Sequence, residues 1–180
     1  MSSIQKIVLA GGCFWCLEAV FQRLQGVEKV VSGYTGGNIL NPSYKEVCSG
    51  DTGHAEAVEI SFDSNIITLK QILEVFWNLH DPTTLNKQGA DHGSQYRSAI
   101  FYIGEGQKAI ALNSKLEIEK SGLYSDPIVT EISELKEYYP AEDYHQNYYN
   151  LNSSQGYCNI VITPKIHKLG VMYKEKLKEN

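Results

Sequence analysis

Residues 6–16 read KIVLAGGCFWC, and this abrupt change from an apolar run to a helical repeat across two glycines constrains the fold most. Lys6–Ala10 has the length and composition of a short buried strand. From Phe14 onward, Leu17, Val20, Phe21 and Leu24 recur at helical spacing until Gly26 stops them. A strand that runs directly into an apolar helix calls for an open sheet with the helix packed back on it.

The rest of the chain continues that alternation. Val27–Tyr34 reads as a strand, followed by a loop rich in Gly and Asn (Gly36, Gly37, Asn38, Asn41-Pro42). Ala55–Phe62 alternates and reads as another strand. Thr68 and Gln71 form a capping box for a second helix. Its stripe is Leu69, Ile72, Leu73, Phe76 and Leu79, and Asp81-Pro82 ends it. A polar loop over 83–95 leads to a strand from about Tyr96 to Ile103, a third helix over 107–120 and a short strand around 128–132. The order β-α-β-β-α-β predicts an α+β fold: an open mixed sheet with packed helices, a ferredoxin-like sandwich with extra elements. No repeat or linker divides the chain, so one domain over 1–180 is expected, with a mobile C-terminal segment from about 150.

A net charge of −5 and a pI near 5.5 argue against nucleic-acid or membrane-surface binding, which would demand clustered cations. The apolar run at Ile7–Ala10 is too brief for a signal-peptide core or a membrane span, and a cytoplasmic location is expected. There the four cysteines default to the reduced state, which favours metal binding or thiol chemistry over structural disulfides.

Gly11-Gly12-Cys13-Phe14-Trp15-Cys16 places Cys13 at the start of a helix, where unpaired backbone N–H groups and the macrodipole lower a thiol's pKa. The glycines would let a substrate approach closely, and thiolate attack is the chemistry this favours. Three alternatives stand beside it: half a zinc site, a thioredoxin-like redox pair, and an inert buried pair. Zinc is disfavoured because Cys48, Cys158 and the histidines lack a second closely spaced pair, so no metal is expected. Cys48 reads as a small buried hydrophobe.

Glu56 shares a strand face with Val58, Ile60 and Phe62, the apolar face. Burial there would keep its carboxyl protonated near neutrality and make it a general acid. The competing reading is a strand-end carboxylate that reaches water.

Gly12-Cys13-Phe14-Trp15 resembles the signature of the A-type peptide methionine sulfoxide reductases. The resemblance continues through Ser32-Gly33-Tyr34, Asn41-Pro42-Ser43-Tyr44, Gly53-His54-Ala55-Glu56, His80-Asp81-Pro82-Thr83-Thr84, Gln95-Tyr96-Arg97-Ser98, Tyr144-His145-Gln146 and Gly156-Tyr157-Cys158. It implies that Cys13 attacks the sulfur of methionine (S)-S-oxide in proteins and peptides while Glu56 protonates its oxygen. Cys13 is left as a sulfenic acid. Tyr44 and Tyr96 would bond the sulfoxide oxygen, with Asp91 ordering the site. Phe14 and Trp15 would wall in the S-methyl group, and His145 would support them. A second cysteine would close a disulfide, which thioredoxin or another dithiol reduces without a cofactor. The resemblance puts the resolving thiol at Gly156-Tyr157-Cys158. Cys16, standing where the family most often has glycine, is a substitute or second relay. A monomer is expected.

Overall fold

The computed structural model describes residues 3–179. Its elements, in chain order, are β1 (Ile4–Ala10), α1 (Phe14–Phe21), β2 (Val27–Thr35), α2 (Tyr44–Cys48), β3 (Ala55–Asp63), α3 (Leu69–Leu79), β4 (Lys87–Gln88), β5 (Asp91–His92), β6 (Ala99–Tyr102), α4 (Glu105–Ser121), β7 (Glu131–Glu134), β8 (Tyr138–Pro140), α5 (Tyr148–Asn152) and α6 (Thr163–Met172). Short 3-10 turns cover Ser94–Tyr96, Asp143–His145 and Lys174–Lys176, and a π-helical segment covers Cys158–Ile162.

The six-stranded sheet has the order β7-β6-β1-β3-β2-β8. Its four central strands pair antiparallel, giving the ferredoxin-like arrangement expected from the sequence. At one edge β7 joins β6 in parallel, through a crossover that contains α4; at the other β8 joins β2 antiparallel.

The two faces of the sheet are built differently. Ile7, Leu9, Val58, Ile60, Phe62 and Ile100 face the helices and form the main core with Phe14, Phe21, Phe76 and Trp77. Val8, Ala10, Ala55, Ala57, Ala99 and Phe101 make a smaller cluster on the other face, under Leu135 and Tyr138. Tyr138 packs against these small residues, with its hydroxyl within donating reach of the carbonyls of Val31 and Ala57.

α1 is apolar on nearly every side because it lies between the sheet and the C-terminal helices: all its residues except Trp15 are buried. Even Glu18 is buried, accepting from Tyr148 N at 3.1 Å and from Ser32 Oγ at 3.5 Å, which ties α5 to α1. The capping box of α3 is present in both directions, Gln71 N to Thr68 Oγ1 at 3.1 Å and Thr68 N to Gln71 Oε1 at 3.0 Å.

Three local expectations need correcting. The strand expected from Tyr96 begins at Ala99, because the backbone first makes a 3-10 turn after Gly93, with Tyr96 N donating to Gly93 O. The strand expected at 128–132 lies at Glu131–Glu134, in register with β6. Cys48, expected in the core, is exposed at the end of α2.

Candidate active site

Cys13 is the N-cap of α1, extended at φ −63° and ψ 129°, with 8% of its surface exposed. Two glycines put it there, for a reason other than substrate access. Gly12 has φ +95°, and a Cβ on it would fall 2.7 Å from Gln88 Cγ. A Cβ on Gly11 would fall 2.9 Å from His80 Cδ2. The space is filled by protein: His80 and Gln88 occupy it. Gln88 is held in turn, its amide bridging the backbone N–H and C=O of Asp81 at 2.9 and 3.0 Å.

Glu56, on β3, is 1% exposed. Its Oε1 accepts from Phe14 N at 3.2 Å, so the carboxyl reaches the first turn of α1. Its Oε2 is buried without a hydrogen-bond partner. Burial raises the carboxyl to about 8, against the lowering effect of the Phe14 bond, and the nearby Asp91 adds to the rise. At neutral pH the group is a carboxylic acid.

The aromatic residues enclose these two groups. Phe14 lies 5.7 Å from Tyr34, 6.2 Å from Tyr44 and 5.1 Å from His145, ring centre to ring centre. Trp15 stacks on Tyr148 at 3.7 Å, nearly parallel, and its Nε1 donates to His145 Nδ1 at 3.1 Å. That bond leaves the His145 proton on Nε2, which is buried and unpartnered beside the Tyr44 ring, 4.3 Å away. Burial lowers the His145 pKa, keeping it neutral.

Tyr44 opens α2, whose capping box of Ser43 and Glu46 fixes the turn; Tyr44 N donates to Glu142 Oε2 at 3.0 Å. His54 orders the preceding loop, accepting from Gly37 N at Nδ1 and donating from Nε2 to Ile39 O. Tyr96 ends the 3-10 turn before β6. Burial raises both tyrosine hydroxyls, and Glu56 adds to each, so both remain donors. Asp91, on β5, accepts from Tyr157 Oη at 2.7 Å.

The thiols are not arranged as the helix start alone implies. Cys13 is pushed well up, first by burial, then by its interaction with Cys16 and by Glu56, which outweigh the backbone N–H of Trp15. Cys16, 3% exposed, is brought down to about 7, chiefly because Cys13 donates to it, with Lys165 assisting. Of the two thiols, Cys16 is therefore the one that ionises first. Tyr157 Oη lies 3.9 Å from Cys16 Sγ, but its one hydrogen points to Asp91 at 2.7 Å, so it does not stabilise that charge. Cys158 is fully buried at the start of the π-helical segment, within electrostatic reach of Cys16, while Ser153–Gly156 before it are exposed.

A sequence model of the peptide methionine sulfoxide reductase family matches residues 5–177. The chain belongs to that family. Among relatives, a peptide methionine sulfoxide reductase MsrA of Leptospira borgpetersenii serovar Hardjo-bovis is 58% identical over 92% of this chain and 93% of its own length. One from Polynucleobacter asymbioticus is 51% identical over 97% and 92%. Among solved structures, methionine sulfoxide reductase A of Corynebacterium diphtheriae superposes with a TM-score of 0.76 at 34% identity, covering 86% of this chain and 78% of that one. A Saccharomyces cerevisiae protein in reduced form gives a TM-score of 0.79 at 34% identity, covering 87% and 90%. As a peptide methionine sulfoxide reductase, the chain is an oxidoreductase that uses thiols to reduce methionine sulfoxide.

Three residues around the reductase site escaped the sequence reading. Glu142 joins Tyr34 Oη, at 2.9 Å, to Tyr44 N; nothing in its surface-like context signals this. Tyr157 was visible only as the neighbour of Cys158. Lys165 is one of several C-terminal lysines that alternate with acids and apolar residues, and its sequence context does not mark it.

Proposed function

We propose that the chain reduces the (S)-epimer of methionine sulfoxide in peptides and proteins by attack of Cys13 on the sulfoxide sulfur, with Glu56 as the acid. The observation that carries this reading is the bare Glu56 Oε2. It is a buried, protonated carboxyl oxygen with no protein partner, on a group pinned to the residue after Cys13. A sulfoxide is a poor electrophile until its oxygen takes a proton, and this group has one to give. Tyr44 and Tyr96 add hydrogen bonds to the same oxygen, and Asp91 orders the site through Tyr157.

As Glu56 gives up its proton, the sulfoxide sulfur gains two electrons and leaves as methionine. The Cys13 sulfur loses them and keeps one oxygen as sulfenic acid. Phe14 and Trp15 form the apolar wall for the S-methyl group, with His145 locked behind Trp15. A second thiol of the chain, Cys16 or Cys158, condenses with the sulfenic acid, and a thioredoxin-type dithiol reduces the disulfide. The yeast relative has also been solved with thioredoxin, which supports that partner. Neither metal nor organic cofactor enters this scheme.

The partners are oxidised proteins rather than nucleic acid or membrane. No helix of the described residues is long and apolar enough to cross a bilayer. Turnover of the separated epimers of dabsylated methionine sulfoxide with dithiothreitol tests the proposal. The (S)-epimer is consumed and the (R)-epimer persists; equal consumption of both contradicts it.

A further inference from the structure

We propose that Cys16 is a working thiol of this site, poised as a thiolate by Lys165, and that it rather than Cys158 is the first sulfur to close on oxidised Cys13. The inference rests on the reading of Cys13 as the attacking thiol.

Placement comes first. Cys13 and Cys16 bracket the first turn of α1, joined by the bond from Cys16 N to Cys13 O at 3.1 Å, and their side chains interact. Residues three apart at a helix start lie within disulfide range. Cys158 is buried too, but the thiol that acts on it is Cys16, not Cys13. A sulfenic acid on Cys13 therefore meets Cys16 before Cys158.

Lys165 supplies the second observation. It stands near the start of α6, half-buried, and lines a small cavity with Cys16, Leu17, Phe76 and Leu79. None of the ion pairs among the described residues involves it. A cation beside a thiol between apolar walls acts through a low dielectric, where its attraction for a thiolate is strongest. The other titratable groups facing Cys16 are Cys13, Glu56, Asp91, Tyr157 and Cys158. Among these neighbours Lys165 is the sole cation.

In the closing step the Cys16 thiolate attacks the sulfur of the Cys13 sulfenic acid. The S–S bond forms, the S–O bond breaks, and the oxygen takes a proton and leaves as water. Cys16 is oxidised by one electron equivalent and Cys13 reduced by one. The Cys158 thiolate then attacks the Cys16 sulfur; the Cys13–Cys16 bond breaks, Cys13 leaves as a thiolate and takes up the proton that Cys158 gave up, and a Cys16–Cys158 disulfide remains for the dithiol to reduce.

The test is a rapid-quench time course with one equivalent of N-acetyl-methionine (S)-sulfoxide amide, free thiols being alkylated and disulfides mapped by peptide mass. Cys13–Cys16 is the earliest disulfide, and bonds to Cys158 follow. Lys165→Met slows that first closure about threefold or more, because less Cys16 is ionised. In a Cys13→Ser background, Lys165→Met raises the Cys16 titration seen by ultraviolet thiolate absorbance, and Lys165→Arg restores it. An earliest disulfide of Cys13–Cys158 with Cys16 still alkylatable overturns the proposal, as does an unmoved Cys16 titration in Lys165→Met. Methionine release in the same quench separates the two layers. Methionine without a Cys13–Cys16 bond overturns this inference alone; no methionine overturns the Cys13 reading as well.

Discussion

Phe14 N lies 3.2 Å from Glu56 Oε1, so the carboxyl proposed as the acid is pinned to the residue that follows the proposed nucleophile. One bond thus couples the strand that carries the proton to the helix start that carries the sulfur. Glu56→Gln keeps an oxygen to accept from Phe14 but has no proton to transfer. Reduction in a single turnover is expected to slow by roughly 10²–10⁴-fold, the range for a lost general acid. Stopped-flow tryptophan fluorescence or quenched methionine release checks it, and a wild-type rate in the Gln variant removes Glu56 from the role.

The raised pKa of Glu56 also has a sign in stability. The unfolded chain releases this proton near 4.5, while the folded protein holds it to about 8. Between those values the folded state binds more protons, so stability falls as pH rises, and the loss levels off above about 8. The full effect is roughly 3–5 kcal/mol, at about 1.4 kcal/mol per pH unit. Glu56→Gln should therefore raise the melting temperature relative to wild type far more at pH 8 than at pH 5. Parallel melting curves at the two pH values would contradict it.

How much the sequence revealed depended on whether the interactions were local. The capping box of Thr68 and Gln71 and the strand face of Glu56 depend on near neighbours in the chain, and both formed as read; the strand-to-helix handover at Gly11-Gly12 formed too, but its glycines are required by His80 and Gln88, far off in the chain, rather than by substrate access. The capping box of Ser43 and Glu46 is equally local, but the five-residue helix it starts is too short for an apolar stripe to mark it in the sequence. Glu142 and Lys165 were not legible, because their roles arise from strand and helix ends more than 90 residues from Tyr44 and Cys16 in the chain. The Cys13 thiol shows the same limit. Helix polarity, a local property, favoured a low pKa; burial, a tertiary one, reversed it, with Cys16 and Glu56 adding to the rise.

Gly12 should not tolerate a side chain. At φ +95° with Gln88 2.7 Å from an ideal Cβ, Gly12→Ala is expected to cost about 1–3 kcal/mol, from backbone strain and the displaced glutamine. Denaturant unfolding measures this. Moving Gln88 also frees the loop at Asp81, so activity should fall further than the loss of folded protein explains.

Tyr96 offers a contrast between stability and activity. Its hydroxyl has no hydrogen-bond partner among the described residues, so Tyr96→Phe should change unfolding free energy by less than about 0.5 kcal/mol. If it bonds the sulfoxide oxygen as the proton arrives, kcat should still drop by roughly 10²-fold, as for the loss of one preorganised donor. An unchanged kcat would leave Tyr96 as a packing residue.

The central claim is that Cys13 takes the oxygen from methionine sulfoxide, and a chain with Cys13 as its sole thiol tests it most directly. The triple variant Cys16→Ser, Cys48→Ser, Cys158→Ser is treated with one equivalent of N-acetyl-methionine (S)-sulfoxide amide in the presence of dimedone, then digested and mapped by mass. The account predicts one equivalent of methionine and a stoichiometric dimedone adduct on Cys13. Methionine formed with Cys13 unmodified, or formed after Cys13→Ser is added to the same chain, would contradict it.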